Sequence, residues 1–190
     1  MTTKIAKYVS VIGHPLLTIP VFVVSVLFHV QDFKSALLTS ILLVFVIIVP
    51  LILKMYRGEK KGVYTNFDVS DQGERKGWYF FALALLSLTV IILFATNQSR
   101  AVCVGFLLAA LLLFSAQVIN YYIKCSLHVS FNTFLSFLIL PINIYLAGLF
   151  FLFLVAIAWS RVYLGRHTIK EVTVGAILGI VFGLLLQTTI

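Results

Sequence analysis

The sequence predicts an all-α protein, a polytopic bundle of transmembrane helices that forms one integral membrane domain over residues 1–190. The first observation is composition: of 190 residues, 62% are hydrophobic and only 11% are charged, and the mean hydropathy is +1.12. The second is that the apolar residues come in long uninterrupted blocks. Soluble domains of this size contain far fewer apolar residues, so both observations exclude an ordinary soluble fold.

Five apolar blocks are close to the length that a membrane-spanning helix needs. A helix crosses ~30 Å of hydrocarbon with roughly 17 to 25 apolar residues. The blocks are residues 15–30, 36–53, 78–96, 101–123 and 172–186. The first is not predicted to be a cleaved signal peptide, because it lacks the small-residue pattern of a cleavage site. We expect it to be a retained first span.

A further apolar stretch, residues 129–159, has 31 residues without a charge, too many for one ordinary crossing. Pro141 lies near its middle, where proline removes a backbone hydrogen bond, and Asn143 follows. We therefore predict two short helices joined by a turn at residues 141–145. This division gives seven membrane segments, and we expect about six or seven.

The basic residues predict the orientation of the bundle. With seven segments, the N-terminus and the connections at residues 54–77, 123–128 and 160–171 lie on one side of the membrane. That side carries twelve of the fourteen Lys and Arg residues, and the other side keeps only Lys34 and Arg100. The positive-inside rule places the basic side in the cytoplasm. We therefore expect a multi-pass protein of a bacterial inner membrane with its functional face toward the cytoplasm.

The net charge of +8 does not predict a nucleic-acid partner. No soluble domain carries the charge, and aromatic residues do not alternate with basic ones outside the spans. Anionic membrane lipids are the expected partners of these cations. Cys103 and Cys125 lie on different segments without metal-ligand spacing, so neither a disulfide nor a metal site is predicted.

Polar residues close to the membrane are costly there and therefore mark candidate functional sites. They cluster at three of the predicted connections, residues 66–76, 124–128 and 160–171. All three connections belong to the basic side of the bundle. We therefore expect a polar site at one end of an otherwise apolar molecule.

These connections hold the groups that phosphoryl transfer requires. Negative charge grows on the transferring phosphate oxygens, and Arg75, Lys124 and Arg161 supply cations for them. His167 stands where a helix N-terminus adds backbone N–H groups and the positive end of a dipole. An imidazole can attack phosphorus or protonate a leaving oxygen. Glu171, four residues later, is placed to orient that imidazole.

At these residues the chain resembles the type 2 phosphatidic acid phosphatase superfamily (PAP2). The third motif of that superfamily reads Ser-Arg, five residues, His, three residues, Asp, and the chain has Ser160-Arg161, His167 and Glu171 in that spacing. Its second motif, Pro-Ser-Gly-His, aligns with residues 125–128, where only the serine and the histidine match. The two motifs occur in the order of the superfamily, with two predicted spans between them.

The resemblance implies a role for each matching residue. His167 is the expected nucleophile, which forms a phosphohistidine, and His128 is the expected general acid. Arg161 is expected to clamp the phosphate, and Ser126 to donate a hydrogen bond to a phosphate oxygen. Glu171 takes the place of the orienting aspartate, with one more methylene.

The first motif of the superfamily, Lys, six residues, Arg-Pro, is altered in this chain. Arg75 is the best match for its arginine, but Lys76 stands where proline is expected and Asp68 where lysine is expected. Lys124 is the candidate to replace that lysine as a phosphate-binding cation. The resemblance covers about residues 66–190, which we expect to form the PAP2-like core.

The resemblance implies a metal-independent enzyme without a cofactor, which hydrolyses a phosphomonoester or diphosphate of a lipid or isoprenoid alcohol. An alternative is a degenerate relative that binds lipid or serves as a scaffold, because the first and second motifs are altered. A second alternative is a magnesium-diphosphate site in the acidic loop from Asp68 to Arg75, as in membrane prenyltransferases. That chemistry needs a second acid-rich loop, and the sequence has none.

Each candidate residue also has an ordinary structural role that the sequence leaves open. Thr168-x-x-Glu171 is a capping box of a helix start. Arg161 and Arg166 are typical of side chains that anchor a helix at the membrane interface, and His128 is compatible with an ordinary interfacial histidine. The remaining polar candidates are expected to be solvated loop residues, helix caps or span borders: Asp68, Asp71, Glu74, His14 and His29.

Overall fold

The structure of the chain, a computed structural model, describes residues 1–189 and contains only helices. No strand occurs in that part of the chain. The helices are α1 (Thr2–Ile12), α2 (Pro15–Val30), α3 (Phe33–Lys60, with a π-helical stretch at Leu42–Ile48), α4 (Arg75–Ala95), α5 (Arg100–Ile119), α6 (Leu127–Ile139), α7 (Ile144–Tyr163) and α8 (Ile169–Thr189). The predicted all-α bundle is confirmed.

Five helices are long and apolar enough to cross a membrane, namely α3, α4, α5, α7 and α8. A sixth candidate is the pair α1 and α2, which meet at an angle of 46°. Counting this pair as one span gives six candidates, which agrees with the lower end of the expected six or seven segments. Helix α6 is apolar but has only 13 residues, which gives a length of about 20 Å against a hydrocarbon thickness of ~30 Å.

The break predicted near Pro141 is present, because α6 ends at Ile139 and α7 begins at Ile144. Asn143 caps α7 by accepting a hydrogen bond from the backbone N–H of Leu146 at 2.9 Å. The prediction of two short helices is wrong for the second one. Helix α7 has 20 residues, since the proline lies before it and leaves its interior hydrogen bonds intact.

A stripe of three glycines lets α8 lie unusually close to α6. A Cβ atom added to Gly175 would come within 2.8 Å of the Ser126 carbonyl oxygen, and one added to Gly179 would come within 2.5 Å of the Ser130 carbonyl oxygen. Gly183 is covered by the ring of Phe137. Small residues four apart are a common device for close helix contact in membranes. The contact fixes the start of α6 beside the start of α8.

The N-terminal helix α1 packs against α7. Gly13 lies against Ile157, and His14 then begins α2 by accepting a hydrogen bond from the backbone N–H of Leu16. Pro15 is the first residue of α2, a position where its missing N–H costs nothing. The junction of α1 and α2 therefore lies near the end of α7 that carries Arg161.

Side-chain contacts show which connections share an end of the bundle. Arg161 contacts Asp68, so the connections after α3 and after α7 meet at one end. Gln31 donates a hydrogen bond to Gln98, so the connections after α2 and after α4 meet at the other. Most of the polar candidates are thereby gathered at one end of an apolar molecule.

Candidate active site

The N-terminus of α8 presents His167 and Glu171 to each other. Their side chains are joined by a contact of 2.9 Å between Nδ1 and Oε2. The same carboxylate accepts the backbone N–H of Thr168 at 3.1 Å, and the Thr168 hydroxyl accepts the backbone N–H of Glu171 at 3.3 Å. The last two bonds are a complete capping box. Glu171 therefore caps the helix and holds the imidazole at the same time.

Arg75 lies on the other side of the His167 ring, with Nη2 at 3.5 Å from Nε2. A guanidinium group only donates hydrogen bonds, so Nε2 faces it with a lone pair and the ring proton lies on Nδ1, toward Glu171. Burial, and then the charges of Arg75 and Arg161, lower the pKa of His167 to about 2. The imidazole is therefore neutral at physiological pH, with its Nε2 lone pair available.

Two backbone carbonyls hold the guanidinium of Arg75 in place. Its Nε donates to the Val69 carbonyl at 2.8 Å, and its Nη1 donates to the Cys125 carbonyl at 2.9 Å. These bonds tie the 61–74 connection to the start of α6. Arg75 is thus a fixed, buried cation beside His167.

Arg161 is buried, with a relative exposure of 1%. Its Nη1 donates to the Ser10 hydroxyl at 2.6 Å and to Asp68 Oδ2 at 2.7 Å. The alternative of an interfacial anchor is therefore wrong for Arg161. Its Nε and Nη2 have no hydrogen-bond partner within residues 1–189, although buried guanidinium groups normally satisfy their donors.

Asp68 is not the solvated loop residue that the sequence suggested. Besides Arg161, it contacts His14, whose Nε2 lies 3.4 Å from Oδ1, and the ring of His14 stacks edge-on against that of His128 at 4.7 Å between centroids. Burial alone would raise the pKa of Asp68, but the hydrogen bond with His14 and the charge of Arg161 outweigh it. That pKa lies well below its usual range, so the carboxylate is ionised.

His14, Asp68 and His128 place one potential ligand atom each within 4.8 Å of one another. The hydrogen bonds do not favour a metal ion there. His14 Nδ1 accepts the Leu16 N–H, so the neutral ring carries its proton on Nε2 and turns that N–H toward Asp68. The other oxygen of Asp68 is held by Arg161. His14, Asp68 and Arg161 are therefore a polar network around an ion pair, and the ring of His128 packs against it.

The start of α6 contributes two buried side chains with free hydrogen-bonding capacity. Ser126 precedes α6 without capping it, and neither its Oγ nor Nε2 of His128 has a hydrogen-bond partner in the described part of the chain. Both residues are buried. Together with the free donors of Arg161, these atoms form a set of polar groups that a phosphate could satisfy.

Lys124 and Arg166 complete the positive charge around the site. Lys124 Nζ lies 3.9 Å from Glu171 Oε2, and burial lowers its pKa. Arg166 donates to the Ser70 hydroxyl at 3.1 Å. Both residues lie in connections between helices.

The model of the PAP2 superfamily matches residues 120–190. Over these residues the chain is similar to that superfamily. The match includes the PAP2 motif residues Ser126, His128, Arg161 and His167. It begins well after Asp68 and Arg75, which lie outside it. No curated protein and no solved structure matches the chain closely. The similarity to PAP2 supports a phosphatase-type function in general.

Outside the PAP2 match, the structure brings three residues to the site that sequence analysis did not assign to it. Ser10, His14 and Asp68 all contact Arg161 or each other. The position of His14 could have been inferred from the sequence, because a polar residue before a proline at a helix start marks a connection between spans. The position of Ser10 could not, since a serine in an amphipathic helix is commonplace.

Proposed function

We infer that the chain is a membrane phosphatase that hydrolyses a phosphomonoester or diphosphate of a lipid or isoprenoid alcohol through a phosphohistidine. One observation carries the proposal most strongly. Glu171 and Arg75 hold His167 between them, with Nδ1 at 2.9 Å from the carboxylate and Nε2 at 3.5 Å from the guanidinium, and these contacts favour a proton on Nδ1 and a lone pair on Nε2. A nucleophilic histidine needs that tautomer, and a carboxylate behind it stabilises the positive charge that forms during attack.

The reaction has two steps in this proposal. Nε2 of His167 attacks phosphorus, a P–N bond forms and the P–O bond to the lipid breaks, while the departing oxygen takes a proton from His128. Water then attacks the phosphohistidine, gives a proton to His128, and releases inorganic phosphate as the P–N bond breaks. Arg75 and Arg161 stabilise the phosphate charge in both steps.

A lipid substrate is supported by where the site lies. The polar groups form one end of a bundle with five or six candidate membrane spans, so a phosphate held there by a membrane lipid reaches them without leaving the interface. The basic residues of the same end attract anionic headgroups. Lys124 and Ser126 are proposed to contact the phosphate oxygens.

The proposal is tested by release of inorganic phosphate from phosphatidate, phosphatidylglycerol phosphate and polyprenyl diphosphates, using purified protein with and without EDTA. The wild type should turn over at least one of these in EDTA, and His167→Ala should be inactive. The matched control is His29→Ala, which removes an exposed histidine at the other end of the bundle and should leave activity unchanged.

Trapping the intermediate tests the covalent step directly. With a ³²P-labelled substrate and an alkaline quench, the wild type should retain an acid-labile label and His167→Ala should not. Turnover by His167→Ala, or wild-type turnover without any trapped label, would contradict the phosphohistidine. Turnover that requires magnesium would favour the prenyltransferase-like alternative.

One observation favours a non-catalytic lipid-binding protein as the second candidate. The guanidinium of Arg161 is already paired with Asp68 at 2.7 Å, so the arginine that would clamp a phosphate holds a carboxylate. A binder of this kind would retain lipid phosphates through purification without releasing phosphate. Bound lipid detected by native mass spectrometry, together with no turnover of any substrate above, would select this candidate.

A further inference from the structure

An apolar cavity of about 220 Å³ lies inside the bundle. Residues of α2, α3, α4, α5 and α6 line it, and these five helices form a ring in which each packs against the next. The cavity therefore lies between these five helices, apart from the exposed outer faces of the bundle.

The two ends of the cavity differ in chemistry. One end is formed by the polar residues His14, Asp68, Arg75 and His128, which belong to the candidate active site. From there the lining is apolar along the full length of α2, from Pro15 to Val30, a distance of about 22 Å at the helical rise of 1.5 Å per residue. The cavity thus has the polarity of an amphiphile with one charged end.

We propose that this cavity holds the hydrocarbon chain of a single-chain lipid phosphate, with the phosphate at the polar end. The proposal rests on the proposed function for the identity of the headgroup and names the class of lipid. A volume of about 220 Å³ lies below the roughly 300–1,000 Å³ of pockets for drug-sized ligands. A space of this size favours one chain over two.

In this proposal the depth of the cavity determines which hydrocarbon chain lengths bind well. Near the polar end the lining includes Leu127 and Phe131, deeper in it includes Phe134 and Leu138, and at the far end it includes Ile142. Successive positions along α6 therefore mark increasing depth. A chain must be long enough to fill the space to the far end, because an unfilled apolar void forfeits packing contacts.

Photo-crosslinking tests the location of the chain without relying on turnover. The probes are hexyl and tetradecyl phosphonates, which cannot be hydrolysed and carry a diazirine at the chain terminus. In purified protein in nanodiscs, the hexyl probe should label the Leu127 to Phe131 region and the tetradecyl probe the Leu138 to Ile142 region. Labelling of the outward-facing residues Leu149 and Leu152 by both probes would overturn the proposal.

Competition tests the single-chain preference. An unlabelled single-chain phosphonate should abolish tetradecyl labelling inside the cavity, and a dialkyl lipid with the same headgroup should not. Equal competition by the two-chain lipid would show that the cavity does not discriminate between the classes. Because the readout is labelling, it is independent of whether the protein is a phosphatase.

A plugged cavity gives the corresponding test on activity. Gly105 lines the cavity. A Cβ atom added there meets no atom closer than Leu186 Cδ1 at 3.9 Å, so the first side-chain atom of Gly105→Phe fits without a clash. KM for water-soluble alkyl phosphates should fall roughly three- to fourfold per methylene in the wild type and level off early in Gly105→Phe. Leu111→Phe, on the outer face of the same helix, is the control and should resemble the wild type.

The two proposals fail in different ways. Depth-dependent labelling without any phosphate release would keep the lipid-chain cavity and reject the phosphatase. Phosphate release with the same chain-length dependence in wild type and Gly105→Phe, and with labelling on the outer surface, would keep the phosphatase and reject the cavity. An aryl phosphate, which has no chain, should be hydrolysed equally by wild type and Gly105→Phe and reports that the variant is folded.

Discussion

Glu171 performs two tasks with one carboxylate, and substitutions can separate them. It accepts the Thr168 N–H as part of the cap and contacts His167 Nδ1. Glu171→Gln keeps a cap acceptor but loses the charge that stabilises the imidazolium form. We expect phosphatase rates to fall by roughly 10²- to 10⁴-fold, with little change in unfolding temperature, since a cap is worth only about 1 kcal/mol.

Glu171→Asp is the matched variant, because it restores the residue of the superfamily motif and keeps the charge. It should retain activity. Rates should be measured by phosphate release and stability by thermal unfolding in the same detergent. If Glu171→Gln were fully active, the carboxylate would be a cap alone.

In the proposed site a phosphate binds the free Nε and Nη2 donors of Arg161, and the negative charge of Asp68 on the same guanidinium opposes that binding. Removing its charge in Asp68→Asn should tighten binding of inorganic phosphate by about tenfold, or ~1.4 kcal/mol. Without phosphate the variant should be less stable than the wild type, since Arg161 is 1% exposed and a buried charge without its partner is costly. Phosphate-dependent shifts in unfolding temperature measure both effects.

Asp71→Asn is the control for Asp68→Asn. Asp71 is exposed and accepts the backbone N–H groups of Gly73 and Glu74, so it is not paired with Arg161. Its substitution should leave phosphate affinity unchanged. Equal or weaker phosphate binding by Asp68→Asn would mean that Asp68 positions Arg161 and does not oppose phosphate binding.

The residues of the site differ in how visible they are in the sequence. The contact of His167 with Glu171 follows from a spacing of four on a helix, which is local information. The contacts of Arg161 with Ser10 and Asp68 join residues 151 and 93 positions apart. No periodicity encodes such pairs, because they depend on how separate helices pack. That is why Asp68, which stands where the superfamily motif has a lysine, was predicted to be a solvated loop residue.

At the level of helices, the contact of α6 with α8 decides whether the two halves of the site meet. A Cβ on Gly179 would lie 2.5 Å from both the Ser130 carbonyl oxygen and Thr133 Cβ, so Gly179→Ala must push the helices apart. Overpacking of this kind costs roughly 1–3 kcal/mol. We expect a lower unfolding temperature and reduced phosphate release, since Ser126 and His128 move away from His167.

Gly148→Ala is the control for the glycine stripe. Gly148 lies in α7, and an added Cβ there meets nothing within 4 Å, so the better helix propensity of alanine should leave stability equal or higher by up to about 1 kcal/mol. If Gly179→Ala were as stable and active as Gly148→Ala, close approach of α6 and α8 would not be required.

Helix positions were predictable where hydrophobic length decides them and less so where packing does. Four of the predicted blocks coincide with long helices, and Pro141 marks a real break. The short α6 was predicted from the break at Pro141, but the bend between α1 and α2 and the full length of α7 were not. The 13 residues of α6 are accommodated by burial against α8 and α7.

For the whole molecule, the arrangement of the site restricts the possible topologies. Arg161 joins the N-terminal helix and the 61–74 connection to the end of α7, and Arg75 joins that connection to the start of α6. These chain segments must therefore face the same side of the membrane. Two segments on the same side must be separated by an even number of membrane crossings. This condition is met if the chain leaves that side through α6 and returns to it through α7.

The side on which the site lies follows from charge and can be measured. Twelve of fourteen Lys and Arg residues occur on the site end by the predicted topology, so we expect that end to face the cytoplasm. Lys61 and Lys34 are both exposed, at the site end and the other end respectively, and the native Cys103 and Cys125 are buried. In intact cells an impermeant thiol reagent should label Lys34→Cys and not Lys61→Cys, with Lys61→Cys reacting only after permeabilisation. The reverse pattern would place the site outside the cytoplasm, where it would act on lipid phosphates of the outer leaflet.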